Sequence, residues 1–326
     1  MAITHALTST RVKHHPRREE DVTQREWNSG HIPKQKKHES VLVEEIIRLL
    51  APEDGEVAVD ATAGQGGHSE ALLKAARIRL FALDADPSAV EATRERLKRF
   101  GERVEVIEAN FSNLAHVLNH AGVQKINLAL FDLGWRSEQL SMGKGFSFLN
   151  DEPLNMSYGK KPASGFTASD ILNTWDEKVI ADVLFGYGEE RYARRIAKAV
   201  VLRRKFAPIT TTIEFVELIR DSVPPQYRHG KLHFATRSFQ ALRVAVNDEL
   251  TCIEHGVRAA WEHLAPGGRI GVISFHSTED RVVKRLFNSL KAHGELLTKK
   301  PVTASHAEIT RNPSARSAKL RAIKKV

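Results

Sequence analysis

The sequence predicts an α/β fold with a doubly wound, mostly parallel sheet that is interrupted by an inserted helical domain. Between residues 40 and 134, short apolar or β-branched runs alternate with helical patterns, which is typical of βαβ units. Residues 135–232 carry helical patterns and no convincing strand. Strand composition returns at residues 269–275, so the sheet resumes after the insertion. The first four predicted strands are Val57–Asp60, Leu80–Leu83, Val104–Ile107 and Asn127–Phe131.

The remaining elements complete this fold. Two weaker extended segments, Leu296–Val302 and Ala318–Ile323, predict an antiparallel pair at the sheet edge. Helices are predicted over Glu70–Arg77, from Pro87 to about Phe100, over Ser112–Ala121 and near Ser238–Leu264. The predicted domains are a basic N-terminal arm (1–37), a sheet domain (38–134 with 233–326) and an inserted helical domain (135–232).

The charge of the chain favours a polyanionic partner. Lys and Arg number 49 against 40 Asp and Glu, and the net charge of +9 collects at the two ends, as in RVKHHPRR at residues 11–18. Such a balance suits RNA, although a solubilising surface explains it equally well. No apolar run is long enough to span a membrane, and the N-terminus lacks a secretory signal. Because Cys252 is the single cysteine, we expect a reducing compartment and a cytoplasmic protein.

A glycine-rich loop follows the first predicted strand. Gly64, Gly66 and Gly67 stand between that strand and the next helix, where a parallel sheet binds nucleotide-like ligands. The N-terminus of the helix favours a carboxylate or phosphate. The dinucleotide pattern G-x-G-x-x-G is only half met, because Ser69 occupies the third glycine position. An alternative is a turn with no ligand.

Three strand-end positions are further candidates for this site. Asp84 ends the second strand and can accept the ribose hydroxyls of a nucleoside, a feature of both NAD and S-adenosylmethionine sites. Phe111 follows the third strand and could pack on an adenine, although core packing explains it more simply. Asp132 ends the fourth strand. There it could localise the lone pair of an acceptor amine, contact the cofactor, or cap the strand.

A series of motifs runs in order from residue 38 to 326. They are HESVL (38–42), GGHS (66–69), DLG (132–134), GFSF (145–148), YGEER (187–191), ATRSFQALR (235–243), VNDEL (246–250), ISFHS (273–277), EDR (279–281), NP (312–313) and ARSAKLR (315–321). They resemble the bacterial small-subunit ribosomal RNA cytosine-N4 methyltransferases, the RsmH or MraW family.

This resemblance implies a class I methyltransferase fold with S-adenosylmethionine as cofactor. It implies that the helical insertion helps to hold the RNA, and that the target is the N4 amine of a cytidine in the decoding region of 16S ribosomal RNA, within the small subunit. The cofactor residues implied, together with Gly64 from the loop, are Gly66, Gly67, His68, Asp84, Phe111, Asp132 and Gln139.

The chain departs from the family pattern after the fourth strand. Where the family reads D-L-G-V-S-S-P-Q, Trp135, Arg136 and Glu138 replace three positions, and the usual P-L-D-M-R-M-D becomes residues 153–159. These changes predict a remodelled acceptor pocket. In one hypothesis Trp135 stacks on the flipped base as a catalytic-site residue; in the other it packs against the insertion.

Basic residues in the second half of the chain are candidates for RNA contact. Guanidinium groups match phosphate oxygens, and a histidine follows the fifth strand. The candidates are Arg237, Arg243, His276, Arg281 and Arg316, each with a structural ion pair or hydrogen bond as its alternative role. No histidine spacing predicts a metal site. The sequence leaves a homodimer open and indicates no obligatory protein partner.

Two other function classes compete with the methyltransferase. One is a non-catalytic, RNA-binding ribosome-assembly factor that retains the cofactor fold, which the altered segment 135–159 keeps open. The other is an NAD-dependent oxidoreductase. Ser69 disfavours the oxidoreductase, as does the lack of an evident histidine and arginine pair for hydride transfer.

Overall fold

Eight strands form one sheet in the described part of the chain. The structure, a computed structural model, describes residues 39–134, 143–159, 162–230 and 232–326. The strand order is β3-β2-β1-β4-β5-β8-β6, and β7 also pairs with β8. The strands are β1 (Val57–Asp60), β2 (Arg79–Asp84), β3 (Val104–Glu108), β4 (Ile126–Asp132), β5 (Leu264–Ser274), β6 (Gly294–Leu296), β7 (Val302–Thr303) and β8 (Lys319–Lys325).

The first five strands are parallel, so their carboxyl ends meet at one edge of the sheet. The chain moves outward from β1 to β3 and then returns to β4 on the other side of β1. The switch point between β1 and β4 is where open α/β sheets bind ligands. The predicted doubly wound, mostly parallel sheet is therefore confirmed.

The antiparallel edge is confirmed as well, with one difference. The segment predicted over Leu296–Val302 is two short strands that pair with β8. Between them the backbone N–H groups of Leu297 and Thr298 both donate to the Ala322 carbonyl, at 3.0 and 3.3 Å. Two residues opposite one partner interrupt the ladder, as in a β-bulge.

The described residues contain thirteen α-helices. They are α1 (Val43–Leu50), α2 (Gly67–Ala75), α3 (Pro87–Leu97), α4 (Leu114–His120), α5 (Ala168–Thr174), α6 (Glu177–Gly188), α7 (Ala193–Arg203), α8 (Thr212–Ser222), α9 (Pro225–Arg228), α10 (Thr236–Val246), α11 (Glu249–His263), α12 (Ser277–Ser289) and α13 (His306–Arg311). Among the described residues, no helix combines the length and the apolar character that crossing a membrane requires.

Both faces of the sheet are covered because neighbouring side chains on a strand point to opposite sides. On β4, Leu128 and Leu130 join the core with residues of α1 and α2. Ala129 and Phe131 join the core with residues of α4, α11 and α12. This burial on two faces explains why β4 is almost continuously apolar.

A third core lies among the inserted helices. Leu172 of α5, Ile180 of α6 and Phe215 of α8 are fully buried in it. Leu242 of α10 belongs to the same core, although the sequence analysis placed residues from 233 onward in the sheet domain. The division of the chain at residue 232, and the recognition role of 135–232, stay predictions.

The prediction of a single helix near Ser238–Leu264 is wrong, because the structure has two helices there, α10 and α11. Asn247 ends α10, and Asp248 has a left-handed φ of 47°. The Asn247 amide donates to the Met156 carbonyl at 2.8 Å, and its side-chain oxygen accepts from the Tyr158 N–H at 2.9 Å. Contact with a distant segment therefore places the break, which local helical periodicity could not reveal.

Candidate functional site

The loop after β1 crosses the end of β2. The Ala63 N–H donates to the Leu83 carbonyl at 2.7 Å, and the Gly64 N–H donates to Asp84 Oδ2 at 2.9 Å. Gly64 and Gly66 have φ of 55° and 76°, a conformation that favours glycine. The structure thus brings the predicted glycine loop and Asp84 into direct contact at the switch point.

Gly67 allows the segment before α1 to approach this loop. A Cβ atom built on Gly67 would lie 2.0 Å from Ser40 Oγ. A side chain at this position therefore requires the Ser40 hydroxyl to rotate away and the Ser40 Cβ, which would lie 3.2 Å from the new Cβ, to shift slightly.

We expect Gly67→Ala to lower the free energy of unfolding by about 1–3 kcal/mol, the cost typical of an overpacked site. Gly186→Ala is a matched control, because its Cβ would meet no atom within 4 Å inside α6. It should be neutral or slightly stabilising. Urea unfolding measures both. Restoration of stability in Gly67→Ala/Ser40→Gly would confirm the clash, whereas no recovery would contradict it.

A chain of polar contacts joins α2 to the end of β4. Asp60, fully buried, accepts from Ser69 Oγ at 2.7 Å and from the Thr62 N–H at 3.2 Å. Burial raises the pKa of Asp60, and the neighbouring Asp132 carboxylate raises it further. His68 Nδ1 lies 3.5 Å from Asp132 Oδ2.

His68 is held in one orientation by the segment before α1. Its Nε2 lies 2.8 Å from the Val41 carbonyl. Because a carbonyl oxygen only accepts, Nε2 carries a proton and Nδ1 faces Asp132. The His68 side chain is 5% exposed, so the histidine lies beneath the site surface next to Asp132.

Asp132 stands at the end of β4, next to β1. Its N–H donates to Thr62 Oγ1 at 2.6 Å, and its side chain is 17% exposed. The following residue, Leu133, donates its N–H to the Ile273 carbonyl of β5 at 3.0 Å. Backbone bonds on both sides therefore fix the position of a carboxylate that solvent or a ligand can reach.

Phe111 is half-buried beside this edge. Its ring meets Phe131 edge to face, with centroids 5.8 Å apart. A Cβ atom on Gly256 of α11 would lie 2.7 Å from the Phe111 ring, so the helix packs closely against it. These contacts give Phe111 a packing role, and its contact with an adenine stays a prediction.

A second polar cluster lies at the break between α10 and α11. Arg243 donates to both carboxylate oxygens of Glu249 at 2.9 and 3.0 Å, and the Tyr158 hydroxyl donates to Glu249 Oε1 at 2.8 Å. Burial raises the pKa of Tyr158 well above its ordinary value. The cluster ties residues 156–158 to the helix break.

The structure separates the RNA-contact candidates into two groups. Arg316 is exposed, Arg281 is exposed and forms its alternative ion pair with Glu189, and Arg237 is half-buried near the Tyr227 hydroxyl. The phosphate role predicted for Arg243 does not fit its geometry, because its guanidinium is buried against Glu249. His276 caps α12, with Nδ1 accepting from the Glu279 N–H at 3.4 Å. The alternative role predicted for His276, a structural hydrogen bond, therefore fits this geometry better than RNA contact does.

Trp135 and Gln139, predicted for the acceptor pocket and the cofactor site, lie outside the described residues. The remaining predicted cofactor residues lie on β1, β2, β3 and β4 or on the segments that follow these strands.

Tertiary folding brings together one group of metal-ligand types that the sequence spacing did not indicate. Within the described residues, ligand atoms of Glu249, His276 and Glu279 lie within 4.8 Å of one another. The Arg243 guanidinium already neutralises Glu249, and the N–H groups of Phe275 and His276 donate to Glu279 Oε2. We therefore interpret the group as a hydrogen-bonded network and assign no metal to it.

Several residues of the site were missed by the sequence analysis. Asp60 had a usable signal, an acid at the end of an apolar strand, whereas Thr62 and Ser69 had none beyond their place in the loop. Ser40 and Tyr158 become visible only through contacts with distant segments.

Comparison with known proteins gives a consistent result. The sequence model of the MraW methylase family matches residues 35–326. A ribosomal RNA small subunit methyltransferase H from Sulfurihydrogenibium sp. is 44% identical over 287 residues, covering 87% of this chain and 97% of that protein. The protein of the same name from Geotalea uraniireducens is 43% identical, covering 89% and 98%. Among solved structures, an rRNA methylase from Streptococcus thermophilus is 13% identical with a TM-score of 0.41, covering 87% and 93%.

Proposed function

This chain belongs to the MraW methylase family, and on that premise we propose that it methylates the N4 amine of a cytidine in 16S ribosomal RNA. The methyl donor is S-adenosylmethionine. The observation that supports the proposal most is the meeting of the glycine loop, Asp84 and Asp132 at one switch point of the sheet. Donor and acceptor can then lie at the same edge.

The residues at this edge fit the donor chemically. Gly64 and Gly66 leave backbone without side chains where a ligand must approach closely, and Asp84 is a carboxylate suited to ribose hydroxyls. Bound there, the donor supplies a sulfonium-activated methyl group. The residues proposed to hold it are Gly64, Gly66, Gly67, His68, Asp84, Phe111, Asp132 and Gln139.

The protein must make the cytosine amine a better nucleophile, because its lone pair is delocalised into the ring. We assign this task to Asp132, whose carboxylate would accept a hydrogen bond from the amine and orient it. Thr62 Oγ1 accepts from the Asp132 N–H and so holds the Asp132 backbone in place, and His68 lies beside the carboxylate. Trp135 is the proposed stacking partner for the extruded base.

The proposed substrate is the decoding region of 16S ribosomal RNA within the small subunit, in the cytoplasm. The helical region 135–232 would hold the RNA, with Arg237, Arg281 and Arg316 as phosphate contacts. His276 would then act by capping α12 beside the site. No obligatory protein partner is part of this proposal.

Methyl transfer to RNA tests the proposal directly. We expect labelled S-adenosylmethionine to mark purified small subunits lacking the modification, with nuclease mapping placing the label on one cytidine at N4. Free 16S RNA and large subunits serve as comparison substrates. Label in protein or in a small molecule would contradict the substrate assignment. Binding of donor and subunits without transfer would support the non-catalytic assembly factor instead.

A further inference from the structure

A cleft of about 670 Å³ lies between α12 and β6, away from the donor site. Lys284, Asn288 and Lys291 line it from the helix side, and Glu295 and Lys299 line it from the strand side. Arg321 of β8 lies at the same cleft. The cleft is at the β6 edge of the sheet, opposite the β3 edge.

One wall of the cleft is basic because lysines of α12 and of the turn after it face the cleft. Lys284 and Asn288 lie four residues apart on one face of α12, and Lys291 begins the short 3-10 turn that follows the end of the helix at Ser289. Phe287 and Val283, on the neighbouring stripe, are buried in the core, which fixes the orientation of the helix. The exposed Lys284 is therefore held at the cleft by a packed helix, and the exposed Lys291 follows just after that helix ends.

The charge of the cleft is positive and largely uncompensated. Arg321 is buried and bonded to Asp280, with Nε–Oδ1 at 2.7 Å and Nη2–Oδ2 at 3.1 Å, so this pair cancels. Lys284, Lys291 and Lys299 have no ion-pair partner among the residues that the structure describes. Glu295 is the acidic member of the lining.

We propose that this basic cleft binds the phosphodiester backbone of a strand of the substrate RNA, outside the acceptor nucleotide. The inference rests on the proposed function and adds a second contact region to it. Three lysine ammonium groups that line one cleft suit a polymer with one charge per nucleotide, and phosphate neutralisation releases counterions. An acidic peptide is the competing occupant. The proposed function supplies RNA at the neighbouring site but supplies no acidic peptide there.

The position of α12 links the cleft to the reaction. The helix begins at Ser277, just after the carboxyl end of β5, which is adjacent to the end of β4 and Asp132. Lys284 lies about 10 Å along the helix from Ser277, and the helix ends about 18 Å from Ser277, just before Lys291. At about 3.4 Å per nucleotide of a stacked strand, the cleft would hold RNA roughly three to six nucleotides from the acceptor.

The test compares two double variants of the full-length protein. Lys284→Gln/Lys291→Gln removes two charges from the cleft, whereas Lys74→Gln/Lys98→Gln removes two exposed charges from α2 and the segment after α3. Binding to small subunits and to a labelled polyuridylate oligonucleotide is measured against salt concentration. Calorimetry with S-adenosylhomocysteine, which the cleft does not contact, verifies that each variant is folded.

For the cleft variant we expect RNA affinity to fall on the order of tenfold at low salt, and the slope of log K against log salt to decrease by about 1.4. The control variant should keep the wild-type slope. Unchanged RNA affinity and slope in the cleft variant would overturn the proposal. So would a labelled polyglutamate peptide that binds the wild type more tightly than the oligonucleotide does and is released by the cleft substitutions.

The outcomes also separate this inference from the proposed function. If the wild type methylates small subunits but the cleft variant binds RNA normally, the cleft assignment fails and the methyltransferase stands. If the wild type transfers no methyl group while the cleft variant loses RNA affinity, the cleft assignment stands and the proposed reaction fails.

Discussion

Replacing Asp132 with alanine is expected to lower kcat for methyl transfer about a thousandfold at saturating donor. The proposed hydrogen bond to the acceptor amine is needed mainly in the transition state, and loss of one such oriented polar group typically costs 10²–10³ in rate, or about 3–4 kcal/mol. Stopped incubations with labelled donor and small subunits measure kcat and both KM values.

Asp86 provides the matched control for this experiment. It is a carboxylate after β2, which β1 separates from β4, and it caps α3 by accepting from the Ser88 N–H at 2.8 Å. Asp86→Asn keeps a capping side chain and should retain near wild-type kcat. If Asp132→Ala instead raises KM for the donor and keeps kcat, Asp132 acts only as a cofactor contact and the acceptor role is refuted.

Replacing Arg243 with methionine should lower the free energy of unfolding by about 3–5 kcal/mol. The Arg243 and Glu249 side chains are 11% and 12% exposed, so the substitution leaves a nearly buried carboxylate without its cation. The same contact ties the Tyr158 segment to the helix break, so the loss extends beyond one pair. Chemical denaturation measures the change, provided that unfolding is two-state.

A surface pair on the same molecule calibrates this expectation. Arg311 and Glu39 are 65% and 46% exposed with Nε–Oε1 at 2.7 Å, and Arg311→Met should cost less than about 1 kcal/mol. The double variant Arg243→Met/Glu249→Leu removes both buried charges and should recover much of the stability. Equal losses in the two arginine variants would show that burial does not strengthen the Arg243 contact.

The donor half of the site was predictable because its signals are local. Gly64, Gly66 and Asp84 each follow a recognisable parallel strand, and the topology of such a sheet brings strand ends together. The place of Asp132 in the site was predictable from the same rule, because Asp132 ends β4. The contact between Gly64 and Asp84 is the direct outcome of that geometry.

The errors arose where burial and distant contacts decide a role. Arg243 was predicted to contact phosphate because the sequence does not show whether a guanidinium is exposed or is paired with Glu249 across a helix break. That break depends on Asn247 bonding to Met156, some ninety residues earlier in the chain. The basic cleft was not predictable for the same reason, since Lys284 and Lys299 line one cleft only when α12 packs beside β6.

The sequence by itself determined the first five strands of the sheet, the glycine loop, the acids at strand ends and the family of this protein, because these depend on short-range patterns and on motif order. Only the tertiary structure decided which charged side chains are available to a ligand. Availability depends on desolvation and on partners brought from distant segments, as His68 under Asp132 and Arg243 beside Glu249 illustrate.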